Sequence, residues 1–210
     1  HLITTLERGG AQRIFFDFVK KNKNLNYKHI VISLTEEKGF SKDLEKYVHK
    51  IYYLNGKNIT SFPILIPKAY LIIKQIKPNL IQSWLYHADF ISLFLFLFFK
   101  KIPIIWTIHH ASESLKYESL HTKIIVYFLS KLSNFIPREI IYCSKFAFNV
   151  HNKLGYSKQK SQIIENGIDM IKFSPNEKLG FTFRNYLKIE KDEFLIGFIG
   201  RYDPNKGINC

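Results

Sequence analysis

Short runs rich in Ile, Val, Tyr and Trp alternate with longer amphipathic stretches over most of this chain, and that alternation limits its fold more than any single motif. The extended runs are "HLITT" (1–5), "KHIVISLT" (28–35), "KIYYL" (50–54), "NLIQSW" (79–84), "IPIIWTIH" (102–109), "EIIYCS" (139–144) and "SQIIE" (161–165). Between them the spacing predicts helices over about 11–22, 41–47, 64–76, 86–99, 119–134 and 145–153. In "RIFFDFVKK", for example, Ile14, Phe15, Phe18 and Val19 share one helical face. Strict alternation of strand and helix predicts a parallel sheet with helices on both faces, a doubly wound α/β architecture.

The chain has 210 residues, enough for one full domain and part of another. It begins with His1 in a short first strand and ends at Cys210 just after a turn, so both ends are expected to be cut and the first strand clipped. Pro175 and its polar neighbours mark a linker. A helical pattern over about 179–187 and a fresh apolar run, "FLIGFIG" (194–200), follow. The expected division is therefore a first Rossmann-like domain over 1–172, a linker over 173–193, and the start of a second domain over 194–210.

Composition narrows the class. With 46% hydrophobic residues the chain can bury a core. Its two cysteines, Cys143 and Cys210, make neither a metal pattern nor a disulfide framework, which fits a reducing cytoplasm. The ten-residue run "FISLFLFLFF" (90–99) is about half a membrane span and reads as a buried helix. The net charge of +14 is concentrated in residues 1–172, which hold 25 Lys and Arg against 12 Asp and Glu. Such a balance implies a polyanionic partner: nucleic acid, anionic lipid or a phosphorylated substrate.

In open α/β sheets, ligands bind beyond the carboxyl ends of the strands, and that rule ranks the candidates. Gly9 and Gly10 stand where the first strand feeds the first helix. They serve either a tight turn or an anion approaching the free N–H groups of the helix start. No GxGxxG fingerprint surrounds them. His109 ends the fifth strand run, as a packing residue or as a donor to a sugar hydroxyl or developing charge. "WLYHAD" brings Trp84, His87 and Asp89 to the same edge, with Asp89 alternatively a first-turn helix acid. "ENGID" (165–169) reads best as a corner. In "GRYDPNKG", Arg201 and Lys206 flank a turn after a strand run, either exposed or clamping a diphosphate.

Taken in order, "GGAQRIFFDFV", "IQSWLYHADF", "PIIWTIHHA", "IIYCSKFAFNVHNKLGYSKQKSQIIENGIDMIKFSP" and "IGFIGRYDPNKG" resemble the retaining glycosyltransferases of family 4, which have the GT-B fold. "SWLYHAD" with "WTIHH" resembles the branch that builds bacterial O-antigen and capsule polysaccharides. The resemblance implies two Rossmann-like domains, with acceptor held mainly by the first and nucleotide-sugar donor by the second. It implies that the Gly9-Gly10 loop, Gly10 above all, meets the donor diphosphate. His109 would contact the donor sugar, and Arg201 and Lys206 would neutralise the leaving group. Trp84, His87 and Asp89 would be acceptor-side residues.

The implied reaction is sugar transfer from a nucleoside-diphosphate donor to a hydroxyl with retained configuration. It needs no metal and no cofactor beyond that donor substrate. The implied acceptor is a saccharide, lipid-linked in this branch and held at an anionic membrane surface, which makes the protein peripheral to the inner face of the cytoplasmic membrane. Gln12 stands where the family more often has Glu, and Glu165 where it often has Pro. The family's paired glutamates fall beyond Cys210, so the piece itself is expected to be inactive. Two rival readings remain: a nucleotide-sugar epimerase of the same fold, and a basic nucleic-acid or membrane-binding module. The lysines are scattered over helix surfaces rather than clustered with aromatics, which argues against nucleic acid.

Overall fold

A computed structural model of the chain describes residues 1–57, 61–109, 115, 118–190 and 192–200. Seven strands, all parallel, make one sheet: β1 (Leu2–Ile3), β2 (Ile30–Ser33), β3 (Lys50–Tyr53), β4 (Ile81–Trp84), β5 (Ile104–Ile108), β6 (Glu139–Tyr142) and β7 (Ser161–Ile163). Between and after them run α1 (Gly10–Lys21), α2 (Ser41–Leu44), α3 (Phe62–Ile76), α4 (Tyr86–Phe98), α5 (Leu120–Leu132), α6 (Lys145–Lys153) and α7 (Glu177–Tyr186). The strand order is β3-β2-β1-β4-β5-β6-β7. The chain thus starts in the middle, builds outward through β2 and β3, then returns to lay β4 beside β1 and builds the other way. Right-handed crossovers put helices made in the two directions on opposite layers.

Two apolar cores follow. One joins Phe15, Phe16 and Val19 of α1 to Leu44 of α2, Val31 and Trp84. The other joins Leu65, Ile91, Leu95, Ile125 and Leu129, from α3, α4 and α5, to Ile104, Trp106, Ile108, Ile140 and Tyr142 of the sheet. The alternation within β1 and β2 explains the division, since successive strand side chains point to opposite faces: Ile3 and Val31 join the first core, Leu2 and Ile32 the second.

The predicted elements of residues 1–166 all form, most of them shorter than predicted, and three show why. β1 is confined to Leu2 and Ile3, whose ladder partners are Ile32 and Ser33 on one side and Ser83 and Trp84 on the other. α2 is one turn, because Tyr47 and Val48 both donate back to the Leu44 carbonyl and close the helix there. β7 ends at Ile163. The apolar run 90–99 lies almost wholly in α4, with Ile91, Leu93 and Leu95 buried. Among the described residues no helix is long and apolar enough to cross a membrane.

Residues 1–166 form one compact unit and Gly167 opens a second, so the division falls between Asn166 and Gly167. In the second unit α7 starts at Asn176, whose side chain accepts from the Leu179 N–H at 2.9 Å, and none of its residues is buried. The strand predicted over 194–200 does not form: no ladder partner stands beside it among the described residues, and a strand exists only as part of a ladder.

Candidate functional site

The order of the strands fixes where a ligand site belongs. Between β1 and β4 the direction of construction reverses, so the loops leaving their carboxyl ends diverge and open a crevice. A cavity of about 180 Å³ lies there. Thr4 contributes from the end of β1, Leu85, Tyr86 and His87 from the β4–α4 junction, Ile108 and His109 from the end of β5, and Glu118 and Thr122 from the start of α5. Thr4 also ties two elements together, its Oγ1 accepting from the Ala88 N–H at 3.2 Å. Leu85 has φ 72° and ψ 152°, a region that only glycine adopts freely. Strain of that kind, on the rim of a cavity, persists because both β4 and α4 hold it.

His109 lines the cavity from the end of β5. Its ring lies flat on Trp84, centroids 5.3 Å apart and planes 8° from parallel. Both ring nitrogens are buried, and neither has a hydrogen-bond partner among the described residues. Burial lowers its pKa to about 4, so the imidazole is neutral near pH 7, with one N–H to donate and one nitrogen to accept. A buried polar group left unpaired costs about 1–3 kcal/mol, which a polar ligand group would recover.

The other candidates take distinct places. His87 lines the cavity with its ring against Phe62, and burial pushes its pKa down, opposed by Glu118 and reinforced by His121. Trp84 does not line the cavity. It is buried behind His109, edge-on to Phe15 at 5.1 Å, and its Nε1 donates to Nδ1 of His1 at 3.4 Å. Asp89 sits in the first turn of α4 but points into the core, fully buried, with Ser83 Oγ 2.5 Å from Oδ1. Ser83 Oγ also lies 3.3 Å from the Ile105 carbonyl. Ser83 Oγ donates to Asp89 Oδ1, the shorter of its two contacts. Burial raises the Asp89 pKa well above the usual carboxylate range, opposed by the Ser83 bond.

At the helix α1 start, Gly9 is the N-cap and lends no side chain to it. A Cβ on Gly9 would meet only the movable end of Gln12, at 2.6 Å, and one on Gly10 would meet nothing within 4 Å. The first unit's own packing therefore leaves the helix start open above Gly10. Arg201 and Lys206 lie outside the described residues.

Several neighbours of the site carry no sequence signal. Thr4, Glu118 and Thr122 reach the cavity only because distant segments converge. Tyr86 O–H lies 2.7 Å from His151 Nε2, while His151 Nδ1 is 2.7 Å from the Ala147 carbonyl. A carbonyl only accepts, so Nδ1 carries the proton and Nε2 accepts from Tyr86. That buried pair anchors the cavity wall to α6.

A doubly wound parallel domain with a cavity at its switch point defines a Rossmann-like α/β class. The sequence profile of Glycosyltransferase Family 4 matches residues 8–171, and the chain belongs to that family. No curated protein matches the chain in sequence. Among solved structures, Anabaena HepE in complex with UDP-glucose is 18% identical with TM-score 0.78, over 99% of this chain and 54% of its own. Sucrose-phosphate synthase from Thermosynechococcus elongatus is 14% identical with TM-score 0.71, over 99% of this chain and 56% of its own. UDP-N-acetylglucosamine 2-epimerase from Rickettsia bellii is 14% identical with TM-score 0.58, over 90% and 51%. The chain thus spans about half the length of the solved structures it matches. These likenesses establish the fold, that of the GT-B glycosyltransferases.

Proposed function

We propose that this chain is the acceptor-side half of a retaining glycosyltransferase that moves a hexosyl or N-acetylhexosaminyl group from a nucleoside-diphosphate sugar to a hydroxyl of a lipid-linked saccharide, in O-antigen, lipopolysaccharide or capsule synthesis. The observation that carries it is His109: neutral, its ring nitrogens buried and without a partner among the described residues, and set at the switch-point cavity of a family 4 chain. A neutral imidazole held flat by Trp84 donates to a sugar hydroxyl without bringing a positive charge to the reacting carbon. His87 offers a second neutral contact on the acceptor side. The open start of α1 at Gly9 and Gly10 presents unpaired N–H groups to a diphosphate.

In this reading the bond from the anomeric carbon to the diphosphate breaks with its electron pair on the departing oxygen. The acceptor hydroxyl attacks the same face, and its proton passes to that oxygen. Arg201 and Lys206 neutralise the charge that develops there, the role a metal ion has in other transferases, so no cofactor is required. The protein works at the inner face of the cytoplasmic membrane. In this reading residues 194–210 begin the nucleotide-sugar domain, after the first compact unit of 1–166.

The epimerase of the same fold is the second reading, favoured by the likeness to the Rickettsia bellii enzyme. Incubation of the intact protein with UDP-sugars and a lipid-diphosphate-linked saccharide separates them: a lengthened acceptor is expected, an epimerised donor with unchanged acceptor would replace the proposal. His109→Ala is expected to abolish transfer with the fold intact. Arg201→Ala or Lys206→Ala is expected to lower turnover by about 10²-fold, the scale of one lost donor in a preorganised site. Turnover that survives all three substitutions would remove these residues from the site.

A further inference from the structure

Size and charge at the switch-point cavity restrict what can occupy it. Its volume is about 180 Å³. A cavity of about 150 Å³ holds one benzene molecule, so this one has room for a single six-membered ring and not for two. Leu85 and Ile108 line it with apolar groups, which suit the C–H groups of a sugar ring. Two of its polar neighbours are already engaged: the Tyr86 hydroxyl donates to His151, and Thr4 Oγ1 accepts from the Ala88 N–H. Thr122 Oγ1 lies 3.0 Å from Ser119 Oγ. His87, His109 and Glu118 remain to recognise a ligand.

Among the described residues that line the cavity, Glu118 is the one acidic side chain, and none is Lys or Arg. It is half-buried just ahead of α5, its N–H donating to the Leu115 carbonyl at 3.0 Å. Burial lowers the pKa of both His87 and His109, so both rings are neutral at pH 7, and the Glu118 charge acts on His87 across the same space. A carboxylate only accepts hydrogen bonds, whereas a neutral imidazole donates one and accepts one. Hydroxyl groups do both and can satisfy all three side chains. A carboxylate or phosphate on the ligand cannot. Beside Glu118 neither partner has a proton to give, and two like charges repel more strongly in a site partly shielded from water.

We infer that Glu118 is a specificity residue: it restricts the cavity to one uncharged sugar ring and turns away uronic acids and sugar phosphates. The net charge of the chain, +14, argues for the opposite preference, because a basic surface draws anions. The two effects act over different distances. Surface charges are screened beyond about 8–10 Å at ordinary salt, whereas a group inside the cavity meets Glu118 at contact. Contact decides which ring stays. The inference rests on the glycosyltransferase reading of this cavity and adds the chemical class of the saccharide end it receives.

The test is an NMR titration of the intact protein at pH 7, without donor, read at the His87 and His109 ring resonances. The probes are the methyl glycosides of glucose and galactose and those of glucuronic and galacturonic acid. Within each pair only the group at C6 differs, a CH₂OH against a carboxylate. The neutral members are expected to bind at least about tenfold more tightly. In Glu118→Gln, whose amide can donate to a carboxylate, the gap should close to within about threefold. That change keeps the side chain's size, and circular dichroism should match the parent. Acids that bind as tightly as their neutral partners, a gap that survives Glu118→Gln, or no binding of either neutral glycoside would overturn the inference. Because the readout is binding without donor, a protein that keeps this ranking but transfers no sugar would refute the transferase reading alone.

Discussion

The ring nitrogens of His109 are buried with no partner among the described residues, and its titration follows. In an unfolded chain a histidine titrates near pH 6.5. In the folded chain burial lowers the value to about 4. Between these values the unfolded state binds a proton that the folded state does not, so this group's contribution to stability is complete above about pH 6.5 and is lost as pH falls toward 4. The ring resonances of His109 in an NMR titration should therefore stay those of a neutral imidazole at pH 7 and move with a midpoint near 4. A midpoint at or above the free value would show a solvated ring and withdraw the neutral donor from the proposed chemistry. The sequence placed His109 at a strand end. It did not show the flat stack on Trp84, which depends on β4 and β5 lying side by side in the sheet.

At the scale of elements, the β1–α1 loop separates glycines the fold demands from glycines it merely permits. Gly39, before α2, has φ +61°, and a Cβ there would fall 2.1 Å from the Leu6 carbonyl oxygen and 2.6 Å from the Glu7 Cα. Those are backbone atoms, so no rotamer relieves the clash. Phe40 N–H donates to that same Leu6 carbonyl at 2.9 Å, and Lys38 and Asp43 pair with Glu7 and Arg8. The Gly39 turn thus buttresses the loop leading to Gly9 and Gly10. Gly39→Ala should destabilise the chain by about 1–3 kcal/mol or more in urea denaturation. Gly10→Ala should leave stability unchanged or raise it by up to about 1 kcal/mol, since alanine favours a helix start over glycine. If the loop meets a diphosphate as proposed, Gly10→Ala impairs transfer nonetheless. A large stability loss in Gly10→Ala would make that glycine a folding requirement instead. The sequence drew attention to the Gly-Gly pair, whereas "EKGF" gave no sign of Gly39's constraint, because that constraint comes from a segment about thirty residues away.

Over the whole molecule, periodicity revealed the strands and helices of residues 1–166 because each is a local pattern tied to one buried layer. It failed at 194–200, where apolar residues alone do not make a strand without a neighbour. The second unit is governed by the same physics. α7 has ten residues, a side-chain cap from Asn176, and an apolar side of Leu179, Phe183, Tyr186 and Leu187 that is exposed throughout. Helices shorter than about 12–15 residues are marginal in water without tertiary packing, and α7 has no buried residue to supply it. β4 and β5 lie in the interior of the seven-stranded sheet, and their opening requires loss of the whole first unit. Hydrogen exchange on this 210-residue chain should therefore divide sharply. Amides of α7 are expected to exchange within about tenfold of the unstructured rate, while those of β4 and β5 exchange only through global unfolding. Protection of α7 equal to that of β5 would mean that its apolar side is covered in solution, and the second unit would then be more than a helix waiting for a surface.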